Sequence, residues 1–169
     1  MIIIIVLILS LLISLYTDIK NRKILNTVTF PTLIFSFLYH IWTNGFDGFL
    51  FSGKGFLTGL CLLIIPYILG GMGAGDVKLM AAIGALMGTS FVFYSFIYTA
   101  LIGGVIALLL IIKTNGFRNT IKSFFFNVVF LRSNLGSMIL AKNKESSISF
   151  PYGVAIVLGT LCTLVWGGL

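Results

Sequence analysis

Only four acidic residues occur among the 169 residues of the chain, and two of them stand at the boundary of an apolar segment. Asp18 closes the first apolar run, and Asp76 opens a later one directly after the sequence GGMGAG. Because a charged side chain at membrane depth is costly, such a residue indicates a functional site. Two carboxylates that helix packing brings together share a proton, so one accepts a proton from water while the other donates to a peptide carbonyl. Asp18 and Asp76 are therefore predicted as the catalytic pair of an aspartyl protease, which needs no metal and no cofactor.

Each aspartate also has a structural interpretation. Asp76 could cap the helix that follows it, because aspartate at that position accepts hydrogen bonds from backbone N–H groups. Asp18 could anchor the end of its helix at the membrane surface beside Lys20. The occurrence of both, with glycines leading into one of them, favours the catalytic interpretation.

The glycines before Asp76 remove side chains from the backbone that leads to it. Without a Cβ, Gly73 and Gly75 allow another backbone to approach closely, so an extended substrate is expected to bind there. Lys78 is expected to reach the lipid headgroups or to bias the charge of Asp76. The spacing G-x-G-x-G fits neither a dinucleotide-binding fingerprint nor a phosphate-binding loop.

The composition predicts an all-α integral membrane protein. Hydrophobic residues make up 59% of the chain and charged residues 9%, and the mean hydropathy is +1.14. Such a chain cannot cover the surface of a water-soluble domain with polar groups. Since a spanning helix needs about 20 residues, the length suits about six spans in a single domain over residues 1–169.

The apolar segments and the basic residues together predict a topology with the N-terminus outside. The predicted spans are Met1–Thr17, Thr27–Thr43, Lys54–Leu69, two helices between Val77 and Ile112 with a break at Gly88, and a last helix after Pro151. The turn Asn44–Gly53, which carries Asp47, is then external, and the segments that hold Asp18 and Asp76 are cytoplasmic. The cytoplasmic connections hold nearly all of the basic residues, as the positive-inside rule requires. Gly84 and Gly88 form a small-xxx-small pair suited to close helix packing.

One long basic loop, 113–150, precedes the last helix and is predicted to be cytoplasmic. Apolar residues within 121–139 recur at helical spacing, with Arg132 among them. This pattern favours an amphipathic helix in the headgroup region, and a seventh span is the alternative.

The net charge of +7 is explained by membrane topology rather than by nucleic acid. Basic residues beside apolar spans attract anionic lipids, which are the expected partners. No nucleic-acid-binding pattern is present. Cys61 and Cys162 are expected to be small buried hydrophobes and His40 an interfacial polar group, so no metal site is predicted.

Two segments together resemble the type IV prepilin peptidases. These are DIKNRKILN at 18–26 and GAGDVKL at 73–79, and the similarity extends to FPYG at 150–153 before the last helix. The GxGD element alone is shared with preflagellin peptidases and presenilin-like proteases. The upstream aspartate on its segment and the order of six spans make the resemblance specific. One departure is Leu25, where the family usually has proline.

The resemblance implies a plasma-membrane aspartyl endopeptidase that removes a short basic leader from prepilin-like precursors at the cytoplasmic face, after a glycine. Asp18 and Asp76 match the two catalytic aspartates of the family, and Asn26 joins Gly73, Gly75 and Lys78 as an expected substrate-binding residue. Because the first span leads directly to Asp18, no methyltransferase domain is expected, as in the short peptidases of Tad-like pili. The alternatives are a preflagellin or presenilin-like protease with another substrate, and a non-catalytic transport or assembly subunit. Against a transporter, neither internal repeats nor span-centre charges are visible in the sequence.

Overall fold

A computed structural model describes residues 1–21, 24–68, 72–113 and 152–166, and all of its regular structure in these ranges is α-helical. The helices are α1 (Ile2–Asn21), α2 (Asn26–Ile68), α3 (Ala74–Met87), α4 (Thr89–Lys113) and α5 (Tyr152–Trp166). Contacts divide the chain into two compact units. One unit comprises Met1–Gly103 with Pro151–Leu169, and the other is Gly104–Phe150. The single domain over residues 1–169 stays a prediction, and the predicted helix at 121–139 lies outside the described residues.

Three helices are long and apolar enough to cross a membrane. They are Ile2–Asn21, Asn26–Ile68 and the segment Thr89–Leu109 of α4, and α5 is a shorter apolar helix. The prediction of an all-helical protein with membrane-spanning segments is confirmed to this extent. The count of six spans and the orientation of the N-terminus stay predictions.

Helix α2 reverses direction at Gly45, which adopts φ 58° and ψ −132°. The hydroxyl oxygens of Ser36 and Ser52 lie 3.0 Å apart. In a straight helix, residues this far apart in sequence would be separated by roughly 24 Å, so the arms 26–44 and 46–68 fold back on each other. The predicted turn over Asn44–Gly53 is therefore wrong in extent, because the chain is helical again immediately after Gly45.

Helix α3 is the most deeply packed element of the first unit. Every residue from Leu79 to Leu86 is buried. The second arm of α2 approaches it backbone to backbone: a Cβ on Gly84 would collide with the carbonyl oxygen of Gly55, and a Cβ on Gly55 with that of Gly84. Gly88 ends α3 with φ 87°. The predicted break at Gly88 and the close packing at Gly84 are both confirmed.

Two expectations concern polar or polarisable side chains, and the one for the cysteines is corrected. His40 is 7% exposed, and its Nε2 donates to the carbonyl oxygen of Leu86 at 3.0 Å; its place at the membrane interface stays a prediction. The last carbonyls of a helix have no partner within it, so this buried histidine satisfies one of them at the end of α3. Cys61 is exposed and Cys162 is half-buried, because the outer surface of a membrane protein is apolar and accepts such side chains.

Candidate active site

Asp18 lies in the last turn of α1 and is only 4% exposed. The helix continues past the predicted end of the first span to Asn21, so Asp18 lies within the helix. The backbone N–H groups of Gly153 and Val154, in the first turn of α5, hydrogen-bond to its carboxylate. Its Oδ2 is buried and has no hydrogen-bond partner among the described residues. The N-terminus of α5 therefore packs against the Asp18 carboxylate.

Asp76 lies in the first turn of α3 and is 8% exposed. Its Oδ2 accepts a hydrogen bond from the backbone N–H of Gly73 at 3.0 Å, as carboxylates at the third position of a helix commonly do. Asp76 therefore does cap α3, as its structural interpretation predicted. However, a capping carboxylate has no need to be almost completely buried.

The two carboxylates interact electrostatically. Asp76 lies outside the three candidate spans, and its pKa is raised from 3.8 to about 6. Burial is the largest cause of this rise, the Gly73 N–H opposes it, and the charge of Asp18 adds to it. Packing has thus brought together the two acidic residues that the sequence predicted as a pair. A shared proton between neighbouring carboxylates is the arrangement that aspartyl proteolysis requires.

Helix α5 also brings a tyrosine to this end of the unit. The Tyr152 side chain lies within range of the charge of Asp76. Helix α5 therefore contacts Asp18 through its backbone and approaches Asp76 through a side chain. Among the described residues, no three His, Cys, Asp or Glu side chains form a group able to hold a metal ion.

Comparison with known families identifies the chain. The family model described as the type IV leader peptidase family matches residues 5–108. The chain belongs to this family. Searches of the curated proteins and of the solved structures gave no significant match.

In this leader peptidase, the segment that matches the family model contains both Asp18 and Asp76 but ends before α5. The contacts of Gly153 and Val154 with Asp18 therefore extend the site beyond the matched segment. The prediction of catalytic and substrate-binding residues did not include Gly153 or Tyr152. The signal that could have found them was the sequence FPYG at 150–153, which was recognised only as part of the family resemblance.

The four predicted substrate-binding residues lie along the connection between α1 and α2 and at the start of α3. Lys78 Nζ donates to Asn26 Oδ1 at 3.0 Å, and it lies 5.7 Å from the ring centroid of Phe30. Both Lys78 and Asn26 are exposed. A Cβ on Gly75 would lie 2.9 Å from Ile24 Cβ and 3.0 Å from its carbonyl oxygen.

These contacts show which neighbours the predicted residues have. The α1–α2 connection itself occupies the space beside Gly75, whereas Gly73 is exposed and gives its N–H to Asp76. Lys78 and Asn26 are brought together, and their substrate-binding role stays a prediction.

Proposed function

We propose that this leader peptidase is an aspartyl endopeptidase that cleaves the basic leader from type IV prepilin-like precursors at the cytoplasmic face of the plasma membrane. The observation that carries the proposal is the pair Asp18 and Asp76, both buried and electrostatically coupled. Family membership supports a peptidase. Three helices are long and apolar enough to span a membrane, which supports a substrate that is also anchored in the membrane by an apolar helix.

In the proposed reaction, a water molecule attacks the carbonyl carbon of the scissile peptide bond. One carboxylate accepts a proton from the water, and the other carboxyl group donates its proton to the carbonyl oxygen, which gives a neutral tetrahedral intermediate. Asp76 suits the donor role because its pKa of about 6 lets it keep a proton to higher pH than an ordinary aspartate. Asp18 takes the acceptor role in this scheme, and the backbone N–H groups of Gly153 and Val154 hydrogen-bond to its carboxylate. The intermediate then collapses when the leaving nitrogen takes a proton and the C–N bond breaks.

The cytoplasmic orientation is supported by the distribution of basic residues. Lys20 lies in α1 near Asp18, and Lys78 lies in α3 near Asp76. Lys54 lies in the arm 46–68 of α2, which carries neither of these aspartates. Since the peptidase itself is basic, direct charge attraction cannot gather a basic leader. Anionic lipid is proposed to concentrate both partners, at about 1 kcal/mol for each basic residue near the surface.

Removal of the leader without methylation of the new N-terminus is part of the proposal. The experiment is cleavage of a prepilin-like precursor by the purified peptidase in vesicles, followed by mass spectrometry of the product. Asp18→Asn and Asp76→Asn should each abolish cleavage while the protein remains in the membrane, and Asp47→Asn should cleave normally. Normal cleavage by either of the first two variants would refute the proposed function.

A further inference from the structure

Three buried side-chain oxygens have no hydrogen-bond partner among the described residues, and two of them lie on one face of α1. They are Ser14 Oγ and Asp18 Oδ2, and the third is Thr99 Oγ1 of α4. Ser14 is 0% exposed and Asp18 is 4% exposed. Because native proteins pair nearly all buried polar groups, with ordered water where no protein group reaches, these two atoms indicate a polar site beside the catalytic carboxylate.

Neighbouring hydroxyls on α1 satisfy themselves within the helix. Ser10 Oγ donates to the carbonyl oxygen of Leu7 at 2.8 Å, and Thr17 Oγ1 donates to that of Ser14 at 3.0 Å. This local bond is the usual solution for a hydroxyl in an apolar helix. Ser14 departs from it, although it lies between these two residues. Its hydroxyl is therefore free to serve a group outside the helix.

Helical geometry places Ser14 and Asp18 next to each other. Residues four apart have Cβ atoms about 5–6 Å from each other, and side chains on a helix tilt toward its N-terminus. The Asp18 carboxylate thus leans toward Ser14. Ser14 Oγ and Asp18 Oδ2 nevertheless make no direct hydrogen bond with each other, and one bridging water with bonds of ordinary length would satisfy both.

We propose that Ser14 is a positioning residue that, together with Asp18 Oδ2, holds the water molecule that attacks the substrate; this inference rests on the proposed peptidase function. One hydrogen of the water bonds to Asp18 Oδ2 and the other to Ser14 Oγ. With both hydrogens directed into the protein, a lone pair of the water oxygen faces the scissile carbonyl. During attack the first proton passes to Asp18, the new C–O bond forms, and the carbonyl oxygen takes the proton of Asp76. Ser14 keeps its own proton throughout.

The test is steady-state cleavage of a peptide with a basic leader, a glycine at the cleavage site and an apolar helix. The full-length peptidase is reconstituted in vesicles of phosphatidylglycerol and phosphatidylcholine. Ser14→Ala should lower kcat about tenfold with little change in KM, because the lost hydrogen bond positions the water and does not bind substrate. Ser14→Cys, which fills the same space with a weak hydrogen-bonding group, should show a similar loss. Ser14→Thr keeps the hydroxyl and should retain more activity than either.

Ser10→Ala is the matched control, because it removes a buried hydroxyl from the same face one turn away whose bond is already made within the helix. It should leave kcat unchanged. A normal kcat in Ser14→Ala would overturn the inference. If Ser10→Ala or Ser14→Thr lost as much kcat as Ser14→Ala, the inference would also fail, because packing alone would then explain the loss. Asp18→Asn, measured alongside, separates the two claims. If it is inactive while Ser14→Ala is normal, only the water-positioning role fails; if it is active, the peptidase proposal fails too.

Discussion

A single methyl group at Gly153 should displace the Asp18 carboxylate. A Cβ built on Gly153 would lie 2.6 Å from Asp18 Oδ2, 2.8 Å from its Cγ and 3.1 Å from its Cβ. Non-bonded heavy atoms prefer a separation of about 3.5 Å or more, so either the carboxylate or the start of α5 must move by nearly 1 Å. Asp18 is buried at the end of α1, so it has little space into which to retreat.

The expected cost of Gly153→Ala falls mainly on catalysis. A displacement of about 1 Å at a reacting group can reduce the rate on the order of 100-fold. Overpacking of this kind also destabilises a fold by about 1–3 kcal/mol, which would lower the melting temperature without unfolding the protein at room temperature. We therefore expect kcat to fall about 100-fold, whereas KM changes little.

The assay compares kcat and thermal melting of the Gly153→Ala and Gly53→Ala variants in the same vesicles. Gly53 lies in α2, and a Cβ there would meet nothing within 4 Å, so Gly53→Ala controls for the change of glycine to alanine itself. It should retain full activity. A kcat close to wild type in Gly153→Ala would refute the packing of α5 against Asp18.

Four further predictions follow from the same contacts. As pH rises through about 6, kcat should fall, because Asp76 loses the proton that it donates; a pH–rate profile that rises through this region would contradict its role as the acid. Lys78→Ala and Asn26→Ala should each raise KM, and each should change the free energy of unfolding by less than about 1 kcal/mol, since their hydrogen bond is exposed. The double variant should have a KM no higher than either single variant, and additive increases in KM would show that the pair does not act together. Gly75→Val should lower both kcat and the melting temperature by pushing Ile24 away, and a normal enzyme would show that the α1–α2 connection is not held there. Cysteine placed at Asp47 should react with an impermeant reagent from outside while cysteine at Lys20 does not, and the reverse pattern would invert the topology.

The pair of aspartates could be predicted from sequence because burying charge is costly and the chain has so few acidic residues. Asp18 and Asp76 each stand where an apolar segment meets a polar one, so their positions alone suggest a common site. The break at Gly88 could be predicted for a similar reason, since three small or polar residues interrupt an apolar run twice the length of one span. In each case the prediction rests on the residue types at one place in the sequence and does not require knowledge of distant contacts.

Features that depend on contact between distant backbones could not be predicted in this way. Gly48 was assigned to a turn, but it is helical, and a Cβ there would collide with the carbonyl oxygen of His40. The sequence does not distinguish a glycine that turns the chain from one that lets two helices touch. Gly153 is the same case at the candidate active site, because its contribution is an N–H group and the absence of a side chain.

His40 shows the remaining difficulty for prediction. Its position near the end of a helical arm suggested a polar group at the membrane interface but identified no partner for it. The reversal at Gly45 places this part of α2 against the end of α3, where the Leu86 carbonyl needs a donor. Only the packing of the two arms on α3 determines that partner.

The most direct test of the central claim is a double-mutant comparison at the dyad. Cleavage rates of Asp18→Asn, Asp76→Asn and the double variant are measured in vesicles with the same precursor, and folding is checked by thermal melting. Because the two carboxylates share one proton in one reaction, each single variant should be as inactive as the double variant. Substantial cleavage by either single variant, or losses that multiply in the double variant, would contradict catalysis by Asp18 and Asp76 acting as a unit.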